Sequence, residues 1–164
     1  MNIGATFELP LGLRVSAAGY YQTGFPISVL QSPNNSNLLG SGQRPNVVPG
    51  VKPGSGNGDY DAACGCIRWL NPAAWSQAAP FTFGNAPRTD GPVRTPARRN
   101  LDLAIDKSHR LGAQVLTVRA EVINAFNTAD LRGPSIAFGD ASFGQIREAA
   151  GFPRLLQVSA RLAW

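Results

Sequence analysis

No stretch of the 164 residues offers the roughly 18 consecutive apolar side chains that a membrane-crossing helix needs, so any contact with a bilayer has to be made by strands. The start, Met1-Asn-Ile-Gly-Ala, has neither the basic head nor the apolar stretch of a secretory signal. Charge is scarce: 15% of the residues are charged against 43% hydrophobic, which is low for a soluble protein of this size. His109 is the single histidine and Cys64 and Cys66 are the only cysteines. With no serine in a nucleophile-elbow context, a catalytic His109 lacks partners, and an interfacial polar role is expected for it. The formal charge of +5 is carried by scattered residues, with Arg88, Arg94 and Arg98-Arg99 as no more than a loose cluster. A phosphate-binding footprint is a continuous basic patch or stripe, so no nucleic-acid partner is expected.

What the chain does have is alternation. In Arg154-Leu-Leu-Gln-Val-Ser-Ala-Arg-Leu-Ala-Trp164, Leu156, Val158, Ala160, Leu162 and Trp164 point one way along an extended strand, and Gln157, Ser159 and Arg161 point the other. Leu116, Val118, Ala120 and Val122 oppose Thr117, Arg119 and Glu121 in the same manner. Further strands are predicted at Ile3 to Leu9, from Leu13 through Tyr21 towards Val29, and at Asn100 to Lys107, where Leu101, Leu103 and Ile105 oppose Asp102, Ala104 and Asp106. The long ones offer about the 9 to 11 residues of a tilted membrane-spanning strand.

The connections sort by length. Pro10-Leu-Gly12 and Arg110-Leu-Gly-Ala113 are tight turns, whereas 31–98 and 128–152 are long, and the two kinds alternate. Short turns on one side and long loops on the other are the asymmetry of outer-membrane barrels, whose walls are apolar outward and polar inward. Trp164 then falls on the periplasmic side, and Phe126, after Asn124, is expected in the outer aromatic girdle. The predicted fold class is all-β, an antiparallel up-and-down transmembrane β-barrel wall. A small secreted β-protein ranks last, because the apolar faces would leave an exposed patch far above a few hundred Å².

Within 31–98, Ser32-Pro-Asn-Asn-Ser-Asn37 and Pro49 to Gly58 are turn-forming and poor in apolar residues, and are expected to be mobile. Trp69-Leu-Asn-Pro-Ala-Ala-Trp75 carries an Asn-Pro helix-start signal that predicts a short helical turn. Cys64 and Cys66 flank one residue, close for an unstrained disulfide, and lack the further ligands of a zinc site; in an oxidising compartment a loop bridge is the expectation. Asp59 and Asp61 beside Gly56-Asn-Gly58 lack the spaced ligands and closing Glu of a calcium loop, and a solvated turn is expected. Asp102, Asp106, Arg119, Glu121 and Arg161 fall on inward faces, where cross-strand pairing predicts a structural ion-pair ladder rather than an acid–base pair.

Several blocks carry a resemblance: Asn100-Leu-Asp-Leu-Ala-Ile-Asp-Lys107, Leu116-Thr-Val-Arg-Ala-Glu-Val-Ile-Asn-Ala-Phe-Asn127, Phe143-Gly-Gln-Ile146 and the strand ending at Trp164. Arg44-Pro-Asn-Val-Val48, Trp69 to Trp75 and Thr82-Phe-Gly-Asn-Ala-Pro-Arg88 precede them. In this order the blocks resemble the C-terminus of TonB-dependent outer-membrane receptors, in particular the Oar-like branch. That family usually has Phe where Trp75 and Trp164 stand, a conservative difference.

The resemblance implies that residues 1–164 are the C-terminal part of a receptor barrel, about the last five strands of some 22, in the outer membrane of a Gram-negative bacterium. On that basis 31–98 is a long extracellular loop over the mouth, 128–152 is a second one, the signal peptide and plug domain are absent, and Met1 is a truncated start. The implied function is capture and import of a scarce solute with TonB-supplied energy, with a structural or adhesive barrel as the alternative. No enzyme activity and no cofactor or metal are expected. The implied partners are membrane lipid, lipopolysaccharide phosphates met by basic loop residues, the rest of the receptor, the TonB complex through the plug, and the barrel assembly machinery. Val158, Ala160, Leu162 and Trp164 match the family's terminal assembly signal.

Overall fold

The computed structural model describes residues 1–37, 42–54 and 58–164. They form two units, one of Met1–Thr23, Ala97–Asp130 and Ala149–Trp164, the other of Gly24–Pro96 and Leu131–Glu148.

The first unit is a sheet of five strands, β1 (Asn2–Leu9), β2 (Leu13–Gln22), β3 (Arg98–Leu111), β4 (Gln114–Ile123) and β5 (Leu155–Ala163). Each pairs antiparallel with the next in chain order. The up-and-down order follows from the two tight turns. Pro10–Gly12 closes the first hairpin as a three-residue turn in which Leu11 and Gly12 take φ of 67° and 68°. The second has a two-residue loop whose first position, Gly112, takes a φ of 65°, where a Cβ is disfavoured. Both long connections leave the opposite end of the sheet.

The strand boundaries differ from the expected ones in two places. β2 stops at Gln22 instead of running towards Val29, because Gly24 and Pro26 follow and the chain turns into the second unit. β3 is longer than Asn100 to Lys107, since Arg98-Arg99 and Ser108 to Leu111 find ladder partners on β2 and β4.

The second unit corrects the expectation that Ser32 to Asn37 is mobile. It has its own core of Val29, Leu70, Ala74, Trp75, Ala86, Val93 and Phe143, in which Phe143 meets Trp75 and Phe138 edge to face at 5.3 and 5.2 Å. Two- to five-residue strands stitch it together, among them Leu30–Gln31 with Ala137–Phe138 and Cys66–Arg68 with Gln145–Ile146. The polar stretch after Gln31 is tied down by buried amides. The Gln31 Nε2 donates to Asn35 Oδ1 and Gln43 Oε1, both at 3.1 Å, the Gln43 Nε2 donates to the Thr82 carbonyl at 2.9 Å, and Ser36 is buried. Such interior hydrogen bonds let a segment poor in apolar residues be ordered. In the stretch 49–58, residues 55–57 lie outside the described residues. The helical turn appears as a 3-10 turn at Pro72–Ala74, capped by the Asn71 side chain accepting from Ala73 N–H at 3.1 Å.

Candidate functional site: a two-faced wall

The register of the sheet sorts its side chains rung by rung. Phe7, Val15, Ile105, Ala120 and Val158 share one rung, and Ala5, Ala17, Leu103, Val122 and Leu156 the next. These rungs build the apolar face, and it is exposed: Phe7 is 62%, Val158 68% and Leu156 73% accessible. The intervening rungs build the polar face, with Thr6, Ser16, Ala104, Glu121 and Gln157 in one and Glu8, Arg14, Asp106, Arg119 and Ser159 in another. Asp106, in the latter, is only 4% accessible. Such a distribution inverts that of a water-soluble sheet, where the aliphatic face is covered and the charges are exposed.

The polar face is hydrogen-bonded across strands. Arg14 on β2 reaches Asp106 on β3 with Nε–Oδ1 at 3.1 Å and Nη2–Oδ2 at 3.0 Å. Arg119 on β4 stands 3.6 Å from the Asp106 Oδ1 and holds Glu121 with Nε–Oε1 at 2.6 Å. Thr6 meets Ser16 at 3.3 Å and Ser108 meets Thr117 at 2.9 Å through their hydroxyls. The predicted ladder therefore comprises Asp106, Arg119 and Glu121, with Arg14 as a member that was not singled out. Two expected members do otherwise. Asp102 accepts from Asn100 Nδ2 and from the Asn124 N–H, both at 2.8 Å, and Arg161 has no ion pair among the described residues.

At the long-connection end, Asn124 ends β4 in the left-handed region, φ 53°, where a short amide side chain is better tolerated than most. Its Oδ1 accepts from Thr128 N–H at 2.9 Å while its Nδ2 donates to the carbonyls of Thr128 and Phe152 at 3.0 and 3.1 Å. Asn127 accepts from the Arg154 N–H at 3.0 Å. The Asn-Ala-Phe-Asn block is thus a clamp that seats the exit of β4 against the approach to β5, and it leaves Phe126 exposed. Beside it Arg98 forks onto Asp130, with Nε 2.8 and 3.0 Å from the two carboxylate oxygens.

At the short-turn end, Val158, Ala160 and Leu162 lie on the apolar face by register, and alternation carries Trp164 to the same side, 93% accessible. His109 pairs with Leu116 and so faces outward near that end. In the second unit, Cys64 and Cys66 are joined by a disulfide, their Cα atoms 5.2 Å apart around Gly65, within the ordinary span of a bridge. Asp61 in the same hairpin accepts from Arg68 Nε at 2.6 Å and from the Ala63 N–H at 2.9 Å, which holds its carboxyl below the usual carboxylate range. That carboxylate is engaged by a guanidinium and an amide. Gly56 and Asn57 of the calcium-like stretch lie outside the described residues.

An antiparallel sheet with short turns at one end, long connections at the other, an exposed aliphatic face and a paired polar face is the wall of a transmembrane β-barrel. Residues 5–157 match the family model of an outer membrane beta barrel domain, and the chain belongs to that family. Its place is the outer membrane. Neither the curated proteins nor the solved structures returned a match.

Proposed function

We propose that this wall belongs to a receptor that captures a scarce solute outside the cell and admits it with energy delivered from the inner membrane through TonB. The observation that carries the reading is the second unit. Both long connections contribute to one ordered body with an aromatic core, a disulfide and buried amides, and that is more than a pore needs at its rim. The ordered blocks shared with Oar-like receptors support the same reading.

On this view the chain performs no catalytic step. The wall positions the loops, and the plug and remaining strands of the receptor, the TonB complex and the barrel assembly machinery are its partners. β1 and β5 each present an unpaired edge within the five-stranded sheet, and such edges are not tolerated in hydrocarbon, which supports pairing with further strands.

A structural or adhesive barrel is the second reading, favoured by the exposed rings of Tyr60, Phe81 and Phe83 on the loop body. One experiment separates the two. Cells expressing the full receptor are tested for accumulation of a panel of scarce solutes, with and without a protonophore and with TonB removed. Import that requires both the proton gradient and TonB is expected; accumulation or attachment indifferent to energy would sink the import reading and leave adhesion.

A further inference from the structure

In the second unit a cleft of about 370 Å³ opens beside the aromatic core, a volume within the range of small-molecule sites. Leu70 and Val93, both core residues, form its floor, and Pro53 and Pro92 flank it. The indole of Trp69 lines it and is fixed in advance. Its Nε1 donates to the Arg94 carbonyl at 2.6 Å, and the Trp69 main-chain N–H donates to the Gly144 carbonyl at 2.8 Å. Gly58 packs against the ring so closely that a Cβ there would stand 2.7 Å from Cζ3, so position 58 has no room for a side chain. An aromatic surface held in this way loses little freedom when a flat group settles on it.

The charge around this apolar cleft is of one sign. Among the described residues its lining carries two cations, Lys52 and Arg94, and no carboxylate. Elsewhere in the same unit basic side chains meet acids, Arg68 with Asp61 and Arg132 with Glu148. Lys52 does not. It is exposed, and its ammonium has no hydrogen bond or ion pair among the described residues. Its backbone is nevertheless anchored beside the floor. The Lys52 carbonyl accepts from Asn71 Nδ2 at 3.2 Å, the Pro53 carbonyl accepts from the Asn71 N–H at 2.9 Å, and Gly54 bridges to Leu70. A positioned cation thus stands over a rigid ring and an aliphatic floor.

We propose that this cleft binds a small organic acid with a flat apolar body, the ring system lying on Trp69 between the prolines and the carboxylate meeting Lys52. A neutral solute would leave the ammonium unanswered, and an inorganic anion would leave the apolar lining uncovered. The cleft belongs to the body built from the long connections, which in outer-membrane barrels are extracellular, so the acid comes from outside the cell. The inference deepens the receptor reading by naming a class of solute, and it rests on that reading for what becomes of the acid after capture.

The test uses the full protein purified from outer membranes in mild detergent and titrated calorimetrically with 2-naphthoate and with its uncharged counterpart 2-naphthamide. Wild type is expected to prefer the acid roughly tenfold, the worth of one charge-assisted contact. Lys52→Gln is expected to lose most of that preference and Lys52→Arg to keep it, a difference that damage to the fold would not produce. Trp69→Phe, with a smaller ring, is expected to weaken both probes alike. Arg88→Gln, exposed on the same body but outside the lining, is expected to change neither. Wild type that binds neither probe, an acid preference undiminished in Lys52→Gln, or binding unchanged in Trp69→Phe overturns the proposal. None of these measurements involves TonB or a proton gradient, so such a result leaves the import reading to its own experiment, and a failure of import leaves the binding site standing.

Discussion

Arg14 and Asp106, 92 residues apart in the chain, meet through two contacts, Nε–Oδ1 at 3.1 Å and Nη2–Oδ2 at 3.0 Å. Arg119 approaches the same carboxylate from the other side at 3.6 Å, so one nearly buried anion joins three neighbouring strands. Replacing Asp106 by Asn keeps the shape and removes the charge, leaving two guanidinium groups without it. The expected loss is about 2 kcal/mol of unfolding free energy, because a hydrogen bond to a charged group contributes about 1.5–3 kcal/mol. Urea titration of the membrane-inserted protein measures it. Arg161→Gln, on the same face but without an ion pair, serves as the comparison and is expected within about 0.5 kcal/mol of wild type.

Asn124 is both the left-handed residue at the end of β4 and the donor or acceptor in three side-chain hydrogen bonds. Asn124→Ala removes all three and puts a Cβ-bearing residue with no compensating amide at φ 53°. About 2 kcal/mol of local stability should be lost. Asn124→Gly relieves the backbone but not the bonds, and should fall between Ala and wild type. Hydrogen exchange at the Thr128 amide reads this directly, and equal protection in all three proteins would remove the clamp.

The pH behaviour of the disulfide hairpin follows from Asp61. Its carboxyl titrates below the ordinary carboxylate value, chiefly because Arg68 donates to it. A group whose folded pKa is depressed contributes stability that is present above its unfolded pKa and is lost as pH falls through the folded value. The hairpin Tyr60–Arg68 should therefore loosen only in acid, below the normal carboxylate range. In Arg68→Gln the Asp61 midpoint, followed by carboxyl NMR, should rise towards that range; an unmoved midpoint would contradict the pairing.

Trp164 ends the apolar rungs at the short-turn end, where an indole can bury its ring and keep its N–H near water. With Val158, Ala160 and Leu162 it forms the outward pattern proposed as the assembly signal. Deleting Trp164 from the protein should cut outer-membrane insertion several-fold, and Arg161→Gln on the opposite face should not. Equal outer-membrane levels after cell fractionation would dismiss the signal.

The chain expressed by itself offers the unpaired edges of β1 and β5 together with an exposed aliphatic face. It should require detergent or aggregate, since each unsatisfied backbone group in hydrocarbon costs several kcal/mol. A monodisperse, cooperatively melting soluble monomer would contradict the wall.

The alternation in Leu116 to Val122 and in Leu156 to Trp164 was enough to assign strands, faces and fold class. A period of two is a local property, and any residue's face follows from its neighbour's. The tight turns at Pro10–Gly12 and Gly112 were legible for the same reason, and with them the up-and-down order. Three things were decided only by tertiary structure. Which acid meets which base depended on register across strands distant in sequence, so Arg14 joined Asp106 while Asp102 turned to Asn124 and Arg161 stayed apart. The order of the long connections came from buried amides such as Gln31 and Gln43, whose composition reads as loop and whose hydrogen bonds exist only once 31, 43, 78 and 82 come together. The hollows on either side of Leu101 set Ala17 and Gly19 of β2, and Phe126 beyond the end of β4, next to one residue of β3, which no local pattern brings together.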